Sequence, residues 1–469
     1  MEKMIQTIVQ SQKQFFRSGK TMDPAWRKDQ LIRLKIAVQT HQKEMEEALY
    51  KDLGRHETEA WFCDIGTIIL EVNEMIRGLN KWNRPEIHYS GMHCFPSMIT
   101  KVYAVPYGVT LIISPFNFPF LLALGAAAAA MTAGNTVVIK ASSKSVHCTE
   151  VLQRMIADTF PPEYFTVISG GHDVADLCLK QPFDKIFYTG SPAVGRHVLH
   201  MAADNLTSVA LELGGETGNW CVVRRDADLR DAARKIAFLK LCNSGQICIN
   251  INQIAVDEQI AEEFLSLLKQ EFVRQITDDP LNNEEYPCLI TSAAYEKCAK
   301  EADQYRDRII FGGHGDAEKK KYEPTIIWPV SKDESIVQHE LFSPLLPVVS
   351  YRDEEIADLL DTIAEREHGL AFYLFTKDIR EGEKIMRSLQ FGGGCINEVC
   401  LHMMVKGVPF NGTGHSGMGA YHGIWGFREF THPCTVLFGS SKFNMPLREH
   451  PYGGKKNAWK KAMVKLFER

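Results

Sequence analysis

The chain has 469 residues, of which 45% are hydrophobic and 24% charged, and its formal net charge is −5. This length allows two or three domains with sizeable cores, and the composition is that of an ordinary globular protein. The negative net charge excludes a general attraction to nucleic acid or to anionic membranes, so neither is an expected partner. Twelve cysteines without close, even spacing argue against a disulfide framework and predict a reducing compartment, the cytoplasm. No metal site is predicted, because neither Cys-x-x-Cys nor His-Glu-x-x-His occurs.

The first part of the chain is predicted to be helical. Apolar and charged residues alternate at helical spacing from about Ile5 to Trp82, with breaks near Gly54 and Thr67. Short apolar runs then alternate with helical segments, one of them at 146–160. The strands predicted there are 103–105, 109–113, 136–139, 165–168 and 185–188. This alternation indicates βαβ units and an open parallel sheet.

One uncharged stretch, from Val102 to Ile139, could suggest a membrane span. Pro106, Pro115 and Pro119 interrupt it, and the remainder is shorter than the roughly twenty residues that a span needs. A buried, alanine-rich helix packed on the sheet is therefore predicted, and membrane contact is not expected.

A second series of strands and helices begins after Glu212. Strands are predicted at 219–223 and 253–256, with a helix at 229–241 between them and a long helix that ends near Arg274. The expected fold class is therefore α/β, with two open parallel-sheet domains and a cleft between them.

A cysteine and a carboxylate stand out as candidates for chemistry. Cys248 follows a Gly245-Gln246 turn, and Glu212 lies earlier in the chain on glycine-rich ground. A thiol nucleophile with a carboxylate base is what covalent catalysis on a carbonyl carbon requires. The backbone N–H of Cys248 can also supply half of an oxyanion hole. Most other cysteines are interpreted as small buried hydrophobic residues, among them Cys242, Cys395 and Cys400.

Several motifs resemble those of the aldehyde dehydrogenase superfamily and occur in its order. They are Pro-x-Asn-x-Pro at 115–119, Thr-Gly-Ser at 189–191, Glu-Leu-Gly-Gly at 212–215, Asn-x-Gly-Gln-x-Cys at 243–248 and Glu-x-Phe-Ser-Pro at 340–344. The segment 412–423, which leads into 427–432, looks like that of class 3 enzymes. The resemblance implies an aldehyde substrate, a Rossmann-like NAD(P)-binding domain, a catalytic domain and a small oligomerisation segment.

The resemblance also implies catalytic roles. Cys248 would form a thiohemiacetal and then a thioester, and Glu212 would activate the water that hydrolyses it. Asn117, which by itself is an ordinary asparagine in a proline-bounded turn, would complete the oxyanion hole. Phe116 and Phe118 stand where relatives often carry Trp and Tyr, which predicts an apolar mouth and an apolar aldehyde.

For the cofactor, NAD or NADP, the resemblance implies a phosphate site and a ribose site. The loop that contains Gly190, Ser191 and Gly195 follows a strand and opens a helix, whose free N–H groups suit a pyrophosphate. Glu340 would hold the nicotinamide ribose, and Phe342 would lie against the nicotinamide ring.

The adenosine end of the predicted cofactor site departs from the family pattern. Relatives carry Lys-Pro-Ser-Glu, whereas this chain has Lys140, Ala, Ser, Ser143 and then Lys144. Ser143 removes a carboxylate that would repel a 2′-phosphate, and Lys144 adds a cation, so NADP should be tolerated. Glu216 and Gly218 also differ from the Lys and Pro of relatives.

The predicted domain boundaries follow from the same resemblance. Residues 1–85 and 107–211 form two parts of the cofactor domain, 86–106 a bridging segment, 212–410 the catalytic domain, 411–430 a return to the cofactor domain, and 431–469 an oligomerisation tail. In the tail, an amphipathic helix with an apolar face is predicted to pack against a second subunit in a homodimer, the alternative being a membrane-surface helix. That face consists of Trp459, Met463, Leu466 and Phe467.

Other functions are also compatible with the catalytic pair. A CoA-acylating relative would end in thioester exchange, although such enzymes usually lack the carboxylate at the position of Glu212. A thioesterase would use Cys248 and Glu212 without a dinucleotide site. A catalytically silent NADP-binding protein is the third alternative.

Overall fold

The N-terminal helices form as the sequence predicts, except at one break. The computed structural model describes residues 1–91, 94–95, 97–366 and 368–466. Asp23 caps the second helix by accepting the Ala25 N–H, and Gly54 ends the third helix in the left-handed region with φ +62°. The helices are α1 (Glu2–Arg17), α2 (Pro24–Thr40), α3 (Gln42–Leu53), α4 (Glu57–Ala60) and α5 (Gly66–Trp82).

The break predicted near Thr67 was wrong in position. A π-helical turn at Trp61–Ile65 joins α4 to α5, and Thr67 lies inside α5. Such a turn inserts one extra residue into a helix without requiring glycine or proline, so no local signal marks it.

The first half of the chain supplies five strands of a six-stranded sheet, β3 to β7, and two strands of a separate antiparallel sheet, β1 and β2. The first-half elements are β1 (Glu86–Tyr89), β2 (Ile99–Pro106), β3 (Val109–Ile113), α6 (Leu121–Ala133), β4 (Thr136–Lys140), α7 (Val146–Thr159), β5 (Phe165–Ile168), α8 (His172–Leu179), β6 (Lys185–Gly190), α9 (Pro192–Ala203) and β7 (Ser208–Leu213). Every residue of α6 is buried, which accounts for the uncharged stretch. Among the described helices, none combines the length and apolarity needed to cross a bilayer.

The second sheet has seven strands. The elements from 219 onward are β8 (Asn219–Val223), α10 (Leu229–Leu241), β9 (Ile251–Asp257), α11 (Ala261–Ile276), α12 (Ser292–Asp303), β10 (Ile309–Phe311), β11 (Gly315–Asp316), β12 (Lys321–Tyr322), β13 (Thr325–Val330), β14 (Leu345–Tyr351), α13 (Ile356–Arg366), β15 (Ala371–Phe375), α14 (Ile379–Ser388) and β16 (Gly393–Ile396). The chain ends in β17 (Gly417–Met418), α15 (Gly423–Glu429), β18 (Thr431–Phe438) and α16 (Ala458–Leu466).

Both large sheets are open and mostly parallel, which confirms the predicted fold class with one correction. The six-stranded order is β17-β7-β6-β3-β4-β5, and the seven-stranded order is β10-β13-β14-β9-β8-β15-β16. Each sheet carries one antiparallel edge strand, because β17 pairs antiparallel with β7 and β10 with β13. The chain passes from β7 directly into β8, so this crossover joins the two sheets.

A third sheet contains β1, β2 and β18, all antiparallel. The strand predicted at 103–105 therefore belongs to this sheet and not to the parallel series. β2 pairs with β18 over its whole length, from Pro106 opposite Thr431 to Ile99 opposite Phe438. Segments that are far apart in sequence thus form one antiparallel ribbon.

Candidate active site

The loop before Cys248 has an unusual backbone. Between α10 and β9, Asn243, Ser244 and Gly245 all have positive φ, at 49°, 51° and 77°. A Cβ at Gly245 would also clash with the carbonyl oxygen of Ser343. Only glycine meets both conditions without strain, so the turn predicted here depends on Gly245.

Gln246 holds this loop, as the sequence suggested. Its Nε2 donates to the carbonyls of Asn243 and Cys288, each at 3.0 Å, and its Oε1 accepts the Ile290 N–H at 3.0 Å. One buried amide thereby ties the turn both to itself and to the segment around 288–290.

Asn117 lies directly against the same loop. Its side chain is 2% exposed, and its Nδ2 donates to the Gln246 carbonyl at 3.1 Å. In return, the backbone carbonyl of Asn117 accepts from the Asn243 amide at 3.1 Å. An amide nitrogen carries two hydrogens, so this one bond leaves a second N–H for another acceptor.

A buried ion cluster that sequence reasoning missed supports both segments. Arg55 is fully buried, pairs with Asp64 at 3.0 Å and lies 3.5 Å from Glu59. Its Nη2 donates to the Asn117 carbonyl at 2.6 Å, while Glu59 accepts the Asn243 N–H at 2.8 Å. Desolvation raises the pKa of Asp64 to about 6 against the opposing effect of Arg55. No local signal distinguishes these residues from the charged face of a surface helix.

Glu212 is a buried carboxylate in β7. It lies opposite Gly417 of β17 and is 3% exposed. Neither of its oxygens has a hydrogen-bond partner in the described parts of the chain. Burial, followed by the charge of Glu429, raises its pKa well above the usual range. A carboxylate in this state has a high affinity for a proton, which suits a general base.

Cys248 lies close enough to two carboxylates to be affected by their charge. Burial, and then Glu340 and Glu212, raise the pKa of its thiol to about 12, whereas the backbone N–H groups of Cys248 and Ile249 oppose this shift. Tyr421 also belongs here, since burial, Glu212 and Cys248 raise its pKa. The charges of Glu212 and Glu340 therefore both act on the Cys248 thiol. Tyr421 is a further site residue, which the sequence motif contained but did not single out.

An apolar tunnel leads to Cys248. Its wall comes from α5, α6 and α10 and from the segment after β16, and the side chains that line it include Phe62, Leu121, Leu122, Phe238, Leu401 and Met403. Phe118 contributes to this wall, in agreement with the predicted apolar mouth. Phe116 is not among the residues of this wall; its ring lies edge-on to Phe342 with centroids 6.0 Å apart.

The segment expected to bind pyrophosphate has suitable geometry. Ser191 precedes α9 without capping it by its side chain, and Pro192 is the first helical residue, so the N–H groups of the first turn remain available. Beside them, Thr189 Oγ1 is buried and has no partner among the described residues. A Cβ at Gly195 would lie 3.0 Å from Leu213, so glycine allows α9 to pack on β7. A Cβ at Gly190 would clash with the Tyr188 hydroxyl. These features fit a dinucleotide.

The residues predicted to bind the two ends of the cofactor lie in two segments, one that begins at the end of β4 and one that precedes β14. Lys140, at the end of β4, donates to the Gly170 carbonyl at 2.6 Å, and Ser143 is exposed shortly after it. Lys144 Nζ lies 5.1 Å from the Phe116 ring centroid. The Glu340 N–H donates to the Glu216 carbonyl at 2.7 Å, and Phe342 has φ +51°.

Comparisons with known proteins agree over nearly the whole chain. A sequence model of the aldehyde dehydrogenase family matches residues 1–436. The 4,4'-diaponeurosporen-aldehyde dehydrogenase of Staphylococcus aureus is 34% identical, covering 94% of this chain and 95% of the relative. Aldehyde dehydrogenase family 3 member H1 of Arabidopsis thaliana is 33% identical, with coverages of 97% and 94%. A solved structure described as the substrate-bound state of Staphylococcus aureus AldH superposes with a TM-score of 0.94 at 32% identity, covering 99% of both chains.

Proposed function

The chain belongs to the aldehyde dehydrogenase family, with relatives in class 3, and from that premise we propose that Cys248, Glu212 and Asn117 carry its chemistry. As a member of this family it is an oxidoreductase that acts on an aldehyde with NAD or NADP. The observation that best supports the assignment is a buried carboxylate, Glu212, without hydrogen-bond partners among the described residues and close to a thiol.

The first step is attack by Cys248 on the aldehyde carbon. Its thiol first loses a proton to solvent, because the thiolate is the nucleophile. The carbonyl oxygen then becomes an oxyanion, which the Cys248 N–H and the second N–H of Asn117 stabilise. Because Arg55 and Asn243 hold Asn117 from its carbonyl side, this donor is positioned before substrate binds.

The second half of the reaction releases the acid. When bound, the oxidised cofactor supplies a positively charged ring and the acceptor for the aldehyde hydride. In our assignment Gly190, Ser191 and Gly195 bind the pyrophosphate of the cofactor. Glu340 and Phe342 position its nicotinamide end, and Lys140 and Ser143 bind its adenosine end. Glu212 then takes a proton from water, which attacks the Cys248 thioester and frees a carboxylic acid.

The experiment that tests this function is a cofactor-reduction assay with and without CoA. Free acid and reduced cofactor in equal amounts, independent of CoA, are the expected products. A requirement for CoA would favour the acylating alternative, and thioester hydrolysis without cofactor reduction would favour the thioesterase.

The substrate that fits best is an apolar aldehyde, aliphatic or aromatic. The tunnel to Cys248 is lined almost entirely by hydrocarbon and sulfur side chains, and burial of apolar surface gives about 25 cal/mol per Å². The Staphylococcus aureus relative, named for 4,4'-diaponeurosporen-aldehyde, is in line with such a substrate. We expect kcat/KM to increase with the length of a linear aldehyde.

We expect NADP to be used at least as well as NAD, and Ser143→Glu to reverse this. The new carboxylate would repel the 2′-phosphate and lower kcat/KM for NADP by about tenfold or more, with little effect on NAD. Ser143→Ala is the matched control, since it removes the hydroxyl without adding charge. Steady-state kinetics with both cofactors decide the matter. A hundredfold preference of the unaltered enzyme for NAD would mean that Ser143 and Lys144 do not face the 2′ position.

We propose the domain division given by the family resemblance. Residues 1–85, 107–211 and 411–430 form the cofactor domain, 212–410 the catalytic domain, and 86–106 with 431–469 the bridging region. The pairing of β17 with β7 and of β18 with β2 supports this division. We also place the enzyme in the cytoplasm, since twelve cysteines without disulfide spacing suit a reducing compartment.

Exposed apolar side chains in the bridging region support the proposal of a homodimer. Its three-stranded sheet exposes apolar side chains, with Tyr89 81% and Ile87 70% exposed. In α16, Trp459 is 43% exposed, whereas Lys460, outside the predicted apolar face, is 7% exposed and donates to the Glu449 and Pro451 carbonyls. Of the predicted apolar face, Phe467 and the side chain of Leu466 lie outside the described residues.

Deletion of the residues after Gly454 is expected to shift the protein from dimer to monomer. The truncation removes the exposed Trp459 together with the rest of α16, and light scattering should then report about half the mass. Circular dichroism controls for retained folding. If the truncated protein stays dimeric while the full chain sediments with anionic liposomes, α16 is a membrane-surface helix and not a dimer contact.

A further inference from the structure

Two cysteine thiols and one carboxylate, all groups that can bind a metal ion, lie together beside the catalytic loop. The Sγ atoms of Cys63 and Cys242 are 3.5 Å apart, and Cys242 Sγ lies 3.6 Å from Glu59 Oε1. One ligand atom from each residue lies within 4.8 Å of the others. None of the three makes or breaks a bond in the chemistry proposed above, although Glu59 also accepts the Asn243 N–H of the catalytic loop. We propose that Glu59, Cys63 and Cys242 bind a thiophilic divalent cation of the zinc class, and we call them the Glu59–Cys63–Cys242 cluster.

The distances fit a shared metal ion. Two sulfurs bound to one zinc at about 2.3 Å in tetrahedral geometry stand about 3.8 Å apart, and a sulfur and a carboxylate oxygen about 3.6 Å apart. The observed 3.5 and 3.6 Å are close to both values. A disulfide would bring the sulfurs to about 2.05 Å, far closer than they are. The cluster thus already has two edges of a tetrahedron.

The charges around the cluster also fit. Two thiolates and one carboxylate around a divalent cation leave one net negative charge. Arg55, whose Nε lies 3.5 Å from Glu59 Oε1, places a positive charge beside the cluster, although it also pairs with Asp64 at 3.0 Å. On binding, two S–H bonds break, two metal–sulfur bonds form and both protons pass to solvent. The mixed sulfur and oxygen donor set is one that zinc prefers.

The surroundings provide access and a fourth ligand. The three residues line an open cavity that His56 also borders, so water can complete the coordination. Cys63 and Cys242 also line the substrate tunnel. Cys63 sits in the π-helical turn, an element found often at functional sites. Cysteine spacing could not reveal this site, because Cys242 follows α10 and its partners come from the N-terminal helical segment.

Cadmium titration of the full chain tests the proposal directly. The titration uses Cys248→Ala without cofactor, which removes the nucleophile as a ligand and makes the result independent of dehydrogenase activity. We expect one Cd²⁺ per chain with thiolate-to-metal charge-transfer absorption, displaced by Zn²⁺. Adding Cys63→Ser or Cys242→Ser should weaken binding at least tenfold and reduce the absorption. Adding Glu59→Gln should weaken binding but keep the absorption, since both sulfurs remain.

The matched control is Cys400→Ser, in the same Cys248→Ala background. Cys400 is a half-buried thiol on the same tunnel but outside the cluster, and its replacement should leave Cd²⁺ binding unchanged. Equal binding with and without Cys63, loss of binding with Cys400→Ser, or a purified protein whose Cys63 and Cys242 are already joined in a disulfide would each overturn the proposal. Thermal melting of every variant separates loss of the site from loss of folding.

Discussion

Replacement of Cys248 by alanine is expected to reduce aldehyde oxidation by about 10⁴-fold or more while NADP binding is retained. The loss is this large because the thiol forms the covalent intermediate, and no other residue can take over that bond. The thiols of Cys242 and Cys400 line the same tunnel, but neither follows the Gly245-Gln246 turn, and the oxyanion hole proposed above uses the N–H of Cys248.

Two measurements test this expectation. Stopped-flow assays of cofactor reduction should show neither a burst nor turnover, whereas titration with NADP should give the affinity of the unaltered enzyme. Cys434→Ser, a half-buried thiol in β18, is the matched control and should keep full activity. Turnover of Cys248→Ala above a small fraction of the control would mean that Cys248 is not the nucleophile.

Replacement of Glu212 by glutamine is expected to change the rate-limiting step. Thioester hydrolysis needs a base, so steady-state turnover should fall by about 10²- to 10⁴-fold. A burst of reduced cofactor, close to one per active site, should precede this slow phase. Rapid-quench kinetics distinguish the two phases. Loss of the burst itself would assign Glu212 to the removal of the thiol proton rather than to hydrolysis alone.

The pH dependence should identify the same residue. Glu212 acts as a base only when it is ionised, and burial raises its pKa well above the usual range. The hydrolysis rate of the unaltered enzyme should therefore increase with pH as Glu212 loses its proton. Glutamine does not ionise, so the variant should lack this increase. An identical profile in both proteins would require a different base.

Much of the fold and the positions of the candidate site residues could be predicted because the signals are local. Apolar runs of strand length predicted β3, β5 and β8 with the bounds that the structure shows. Gly245 was predicted to allow a close turn, and its positive φ shows why glycine is needed there. The convergence of Cys248 and Glu212 could be expected from their motifs. Their chemical roles remain predictions, to be decided by the two variants above.

The features that could not be predicted all depend on contacts between distant segments. The antiparallel edge strand β17 returns to the sheet beside the much earlier β7, and β2 is paired by β18 from near the C-terminus. The buried Arg55 is the clearest case. Its partner Asp64 is close in sequence, but the Asn117 carbonyl lies in the loop after β3. Helical periodicity predicts only which face of a helix is apolar, so it could not reveal this contact.

The Arg55 cluster also has a consequence for how the chain matures on the ribosome. Arg55 and Glu59 emerge early, whereas the backbone N–H of Asn243 that Glu59 accepts is made only after α10 and every strand of the first large sheet except β17. Domains of a nascent protein fold in order from the N-terminus, so these charges must wait, hydrated, until the catalytic loop arrives. Their dehydration is then coupled to closure of that loop. A chain that stalls before Asn243 is therefore expected to leave Glu59 without this backbone partner.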